Sequence, residues 1–136
     1  MDKEYLVNRA CSAMMGAYAP YSGFFVGAAL LTKEGKIYTG CNIENSTYTP
    51  TNCAERTAFF KAVSEGEREF EAIAIVGGPK GEIHGFAAPC GVCRQVMAEF
   101  CDADSFAVIL YDGAEIKTFT LRELLPLSFG PEDLHR

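Results

Sequence analysis

The sequence predicts an α/β fold, a five-stranded mixed sheet with helices on both faces, and three observations carry that reading. Apolar residues recur at helical spacing in three segments, five short apolar runs are bounded by turn signals, and Asp112-Gly113 joins the last two runs. That dipeptide favours a tight antiparallel hairpin, whereas parallel neighbours need a crossover of about a dozen residues or more.

Each element follows from local chemistry. From Asp2 to Tyr18, Leu6, Ala10, Ala13, Met14 and Ala17 share one helical face, with Met14 and Met15 read as core, and Ala19-Pro20 ends the helix. Phe24 to Thr32 and Lys36 to Cys41 read as strands joined by Lys33-Glu34-Gly35. Thr51 and Asn52 are N-cap residue types, so Cys53 opens a helix through Val63. Glu71 to Val76 is a buried strand. Gly77 to Gly81 after it reads as a plain turn, because it lacks the Gly-Lys-Ser/Thr ending of a phosphate loop. Pro89 suits a first helical turn, and the helix from Cys90 to Phe100 places Val92, Val96, Met97 and Phe100 on one face. Phe106 to Tyr111 and Glu115 to Phe119 supply the last strands.

Composition narrows the functions available. A chain of 136 residues with 49% hydrophobic residues suits one domain, residues 1–136, with its own core, and argues against disorder. A net charge of −6 and the lack of a basic stripe oppose nucleic-acid binding. No apolar run approaches the ~20 residues that span a bilayer, so a cytoplasmic protein without membrane contact is expected. Six cysteines suggest disulfides only in a shorter, secreted scaffold; Cys11, Cys41 and Cys101 are expected to be unpaired and partly buried. Asn45-Ser46-Thr47 matches a glycosylation acceptor by accident.

The other three cysteines carry the chemistry. Cys53-Ala54-Glu55 and Pro89-Cys90-Gly91-Val92-Cys93 bring three thiols and one acid to two helix starts. Helix amino termini stabilise thiolates, lowering a cysteine pKa from its free value of about 8.5. A structural zinc site closes with four protein ligands, whereas a catalytic one keeps three and leaves a position to water. A zinc knuckle or inert buried thiols would be the bland reading of Cys-x-x-Cys. Closure would need a fourth ligand, and the two histidines lie in a glycine-flanked loop (His84) and the terminal tail (His135). Glu55 is then free to project past the metal. Three thiolates leave a zinc centre one charge negative, and Arg56 or Arg94 could donate to a ligand sulfur and offset it; Arg56 is the favoured donor.

These motifs, with Pro20-Tyr21-Ser22-Gly23-Phe24-Phe25-Val26-Gly27-Ala28-Ala29-Leu30, Gly40-Cys41-Asn42-Ile43-Glu44-Asn45 and Glu123-Leu124-Leu125-Pro126, resemble the small, three-cysteine cytidine deaminases over nearly the whole chain. The resemblance implies a three-layer α/β/α fold and one zinc per subunit on Cys53, Cys90 and Cys93. It also implies a zinc-activated water that attacks C4 of cytidine or deoxycytidine, with Glu55 moving the protons and ammonia leaving. By the same resemblance Phe24 stacks on the base, the Ala54 N–H and the Cys90 carbonyl hold the ring edge, and Asn42 and Glu44 hold the ribose. Residues two apart in an extended segment share a face, which suits a joint grip on one sugar, and a carboxylate would repel a phosphate. Without the resemblance, Phe24 would read as core and the other two as exposed turn residues.

Phe129 resembles the aromatic that relatives insert into a neighbouring subunit's site, which implies a homotetramer with shared sites. Relatives acting on polynucleotides place a helix where Asp112-Gly113 makes a turn, a further vote for a free nucleoside, and the product implies pyrimidine salvage. Gly23, Phe25 and Thr49-Pro50 differ from the residues usual in the family. The alternatives are a deaminase of a cytosine antibiotic such as blasticidin S, from which Glu44 separates this chain, and a non-catalytic zinc module, which Glu55 opposes.

Overall fold

The computed structural model describes residues Met1 to His135. Its elements run α1 (Lys3–Met14), β1 (Phe24–Thr32), β2 (Ile37–Cys41), α2 (Ala54–Ser64), β3 (Phe70–Pro79), α3 (Gly91–Phe100), β4 (Ala107–Tyr111), β5 (Ile116–Thr120), α4 (Leu121–Leu124) and α5 (Pro131–Leu134). The strands form one sheet in the order β2-β1-β3-β4-β5. Only β3 and β4 run parallel; β1 lies antiparallel to both β2 and β3, and β4 to β5. The sheet is therefore mixed, as expected, and α3 lies in the crossover that a parallel pair requires.

Alternation along the central strand divides the core in two. Ala72, Ala74 and Val76 of β3 face α1, where they pack with Leu6, Val7, Ala10 and Met14, whereas Met15, expected in the core, caps the helix and is 65% exposed. Ile73 and Ile75 face the other way, against Ala58, Phe59 and Ala62 of α2 and Met97 of α3. A side-chain period of two thus gives one strand two buried faces, and its unbroken apolar run follows.

Two glycines let helices sit against bare backbone. A Cβ on Gly27 of β1 would lie 2.1 Å from the Ala10 carbonyl oxygen in α1, and one on Gly40 of β2 would lie 2.4 Å from the Ala54 carbonyl oxygen in α2. Both metal-side and far-side helices are set by main-chain contact at these points.

The structure corrects three boundaries. The first helix ends at Met14 rather than running to Tyr18, because Gly16 interrupts it and Tyr18 is drawn into a parallel bridge with Ile43. Gly77, Gly78 and Pro79 continue β3 instead of turning, since nine-residue β1 offers Val26, Phe25 and Phe24 as partners. The turn lies one step later, with Lys80 and Gly81 at positive φ. Strand β2 ends at Cys41 as expected but starts at Ile37 rather than Lys36, whose N–H closes the turn onto Thr32 Oγ1. The sequence reading also omitted α4, whose Thr120–Glu123 capping box closes its first turn.

Candidate active site

Cys53 and Cys90 are the N-cap residues of α2 and α3, and Cys93 lies in the first turn of α3. The two helix starts meet. Cys53 Sγ lies 3.9 Å from Cys90 Sγ, Cys90 Sγ lies 3.6 Å from Cys93 Sγ, and all three sulfurs fall within 4.8 Å of one another. A tetrahedral centre with Zn–S bonds of about 2.3 Å holds its sulfurs about 3.8 Å apart, so the donor set fits zinc in both chemistry and spacing.

Electrostatics favours thiolate at Cys53. The Cys53 thiol is lowered to about 5, first by hydrogen bonding with Cys93 and then by Arg56, against the effect of burial. The buried Cys93 is pushed up by sharing that hydrogen bond and by desolvation. Arg56 Nη2 donates to Cys53 Sγ at 3.0 Å, while its buried Nε has no partner among the described residues. Arg94 donates to none of the three sulfurs among its bonds to the described residues. Its Nε donates to the Pro89 carbonyl at 2.7 Å and its Nη1 to the Leu124 carbonyl at 2.7 Å, and the neighbouring Gln95 Nε2 donates to the Phe129 carbonyl at 2.8 Å. The remaining cysteines, Cys11, Cys41 and Cys101, are free and half-buried, and burial pushes each of them up.

Glu55 lies in the first turn of α2 and is 4% exposed. Burial, together with the adjacent Cys53, raises its carboxyl to about 7. It lines a cavity of about 510 Å³ together with Cys53, Cys90, Phe24, Asn42 and Ala54. As the first helical residue, Ala54 has an N–H without an intrahelical acceptor. The Cys90 carbonyl accepts from Arg94 N at 3.0 Å, which leaves it a second lone pair.

The pair expected to hold the ribose, Asn42 and Glu44, is split between two cavities. Asn42 lines the metal-side cavity, whereas Glu44 lines an adjoining one of about 410 Å³ with Tyr21, Ser22 and Tyr48. Thr51 borders both, so the two form neighbouring compartments. Neither residue is a free turn residue. Asn42 Oδ1 accepts from Val26 N and its Nδ2 donates to the Phe24 carbonyl, each at 2.8 Å. Glu44 accepts from Tyr21 N at 2.9 Å, Ser22 N at 3.1 Å and the Ser22 hydroxyl. Its carboxyl is held below the usual range by the Ser22 hydroxyl and then by these amides, against burial. An Ile43–Asn52 bridge ties the segment to the residue before Cys53.

Phe24 is 37% exposed and lines the cavity rather than the core. Phe129 is 58% exposed and does not line the cavity of its own chain. The sequence reading missed Thr51 and Phe86, which also border the metal-side cavity; Lys117 Nζ covers the Phe86 ring at 4.9 Å from its centroid. Phe86 stands four residues before Cys90. That short distance to a ligand is the only local signal that could have found it.

Comparison with known proteins gives one answer. Residues 1–109 match the family model described as the cytidine and deoxycytidylate deaminase zinc-binding region. A cytidine deaminase of Sporosarcina psychrophila is 52% identical over 134 residues, covering 98% of this chain and 96% of that protein. The crystal structure of cytidine deaminase from Burkholderia pseudomallei superposes with a TM-score of 0.87 at 47% identity, covering 95% of this chain and 100% of that one. A blasticidin-S deaminase of Bacillus cereus is 37% identical over 108 residues, covering 76% of each chain.

Proposed function

Because the chain belongs to the cytidine and deoxycytidylate deaminase family, we propose that it hydrolyses cytidine and deoxycytidine to uridine and deoxyuridine with release of ammonia. The observation that carries this reading is the triad of sulfurs at zinc spacing, two of which, Cys53 and Cys90, line the same cavity as the buried Glu55. Residues 1–136 act as one catalytic domain.

Cys53, Cys90 and Cys93 hold one zinc ion. When bound, the metal supplies Lewis acidity that makes water nucleophilic near neutral pH. The chain does the rest. Glu55, with its carboxyl raised to about 7, accepts the proton of the attacking water, delivers it to ring N3, and assists departure of the amine as ammonia. One C–N bond breaks at C4 and one C–O bond forms. The Arg56 guanidinium offsets the negative charge of the thiolates. Phe24 bears on the base, and the Ala54 N–H and Cys90 carbonyl hold its edge. Asn42 and Glu44 bind the ribose from their adjoining compartments, and the ionised Glu44 disfavours a 5′-phosphate.

The assembly in this reading is a homotetramer in the cytoplasm, serving pyrimidine salvage. An exposed Phe129 that does not line its own cavity supports its entry into a neighbour's site. The antibiotic reading rests on the shorter and weaker likeness and gains no observation. Among the described residues no helix is long and apolar enough to cross a membrane.

The test incubates zinc-replete protein with cytidine, deoxycytidine, cytidylate and blasticidin S and follows absorbance. Both nucleosides convert and the nucleotide does not. Glu55→Gln retains zinc and loses about 10²- to 10⁴-fold in kcat, the span of general acid–base catalysis. Rapid cytidylate turnover, or a fully active Glu55→Gln, defeats the reading.

A further inference from the structure

The main chain of Phe24 is gripped on one side by Asn42, assigned to the sugar, and on the other by Ser22, which is bonded to Glu44. Its N–H donates to Ser22 Oγ at 3.0 Å, and its carbonyl accepts from Asn42 Nδ2 at 2.8 Å. The Ser22 hydroxyl in turn donates to Glu44 Oε2, while Glu44 Oε1 takes the Tyr21 and Ser22 amides. One hydroxyl therefore sits between the carboxylate and the backbone of the aromatic wall.

We propose that Ser22 is a positioning residue for nucleoside binding: its hydroxyl fixes the separation between the Glu44 carboxylate and the Phe24 ring. The proposal rests on the nucleoside reading above and deepens it. The Tyr21 and Ser22 amides reach only Glu44 Oε1, and the rest of the turn offers Oε2 no other donor. Gly23 N donates to the Ala19 carbonyl at 2.9 Å, and the Gly23 carbonyl accepts from Lys80 N at 2.7 Å. Both of those bonds anchor the turn to its surroundings, and neither reaches Glu44.

Counting lone pairs shows what the arrangement leaves for a ligand. An ionised carboxylate has about four acceptor positions. Three are used by Tyr21 and Ser22, so one is left. Asn42 spends one N–H and one lone pair on β1 and keeps one of each. The pair can offer a sugar one donor and two acceptors, provided the carboxylate does not rotate. With Oε1 held by two amides, the Ser22 hydroxyl on Oε2 removes the remaining freedom to pivot. It also holds the Phe24 N–H, so any movement of the acid is transmitted to the ring.

Ser22 is exposed, so loss of its hydroxyl leaves the core intact and the effect falls on binding. The test measures kcat, KM for cytidine and Tm for Ser22→Ala, Ser22→Thr, Glu44→Gln and the double variant Ser22→Ala/Glu44→Gln. Ser22→Ala raises KM about 10-fold, the effect of one hydrogen bond to a charged group, with kcat and Tm close to the parent. Ser22→Thr restores KM because it keeps the hydroxyl. In the Glu44→Gln background, Ser22→Ala adds less than about twofold, since residues acting through one another are not additive. An unchanged KM for Ser22→Ala, or the full effect in both backgrounds, overturns the role of Ser22 alone. A parent protein inactive on nucleosides overturns the nucleoside reading and this proposal with it.

Discussion

Gly40→Ala tests whether the metal site is placed by backbone contact. Gly40 pairs with Ala28 in the sheet and lies under the first turns of α2. A Cβ there would be 2.4 Å from the Ala54 carbonyl oxygen, 2.6 Å from Ala58 N and 3.1 Å from Thr57 Cβ, where ordinary contact begins at 3.4 Å. Two of the three obstacles are main-chain atoms, which cannot swing aside. Relief requires α2 to rise by about 1 Å, carrying Cys53 and Glu55 with it, and a displacement of that size can cost about 10²-fold in rate. Overpacking adds about 1–3 kcal/mol of destabilisation.

Gly35→Ala is the control. Its Cβ meets nothing within 4 Å, but its φ of +98° strains any side chain, so it lowers Tm while leaving zinc content and kcat alone. The assay reads zinc per chain by elemental analysis, kcat by absorbance and Tm by thermal melting. Gly40→Ala protein with full zinc and parental kcat would refute the argument.

Two further substitutions separate the arginines. Arg56→Met removes the donor to Cys53 Sγ and lowers kcat about 10- to 100-fold, read by steady-state kinetics on zinc-loaded protein; an unchanged kcat removes Arg56 from the site's charge balance. Arg94→Met strands the Pro89 and Leu124 carbonyls, lowers Tm and speeds zinc loss to a chelator about 10-fold; a parental release rate would show that the Pro89 contact does not hold Cys90 in place.

The sequence made the metal centre legible because its signals are local. Thr51-Asn52 before Cys53 and Pro89 before Cys90 mark helix starts, and both cysteines are N-cap residues in the structure. β1 was readable from its apolar run, and the β4–β5 hairpin from Asp112-Gly113. What the sequence hid depends on partners far along the chain. Gly77 to Pro79 carries turn chemistry, yet β1 lies alongside and supplies a ladder, so pairing overrides composition. Asn42 and Glu44 sit two apart, but the Tyr21-Ser22 turn pulls one side chain and β1 the other. Arg56 and Arg94 look equivalent in sequence, and only the end of α4 lying beside α3 gives Arg94 a different task.

The tie from Arg94 and Gln95 to Leu124 and Phe129 makes the outermost stretch of polypeptide a dependent of the metal helix. Between residues 125 and 130, Pro126, Leu127 and Phe129 are exposed, and the stretch would pass for dispensable. Cutting it away frees the amide of Gln95, and a cut made before Leu124 also deprives Arg94 of one of its two anchors. An edit made some thirty residues downstream in sequence thereby reaches the loop that presents Cys90.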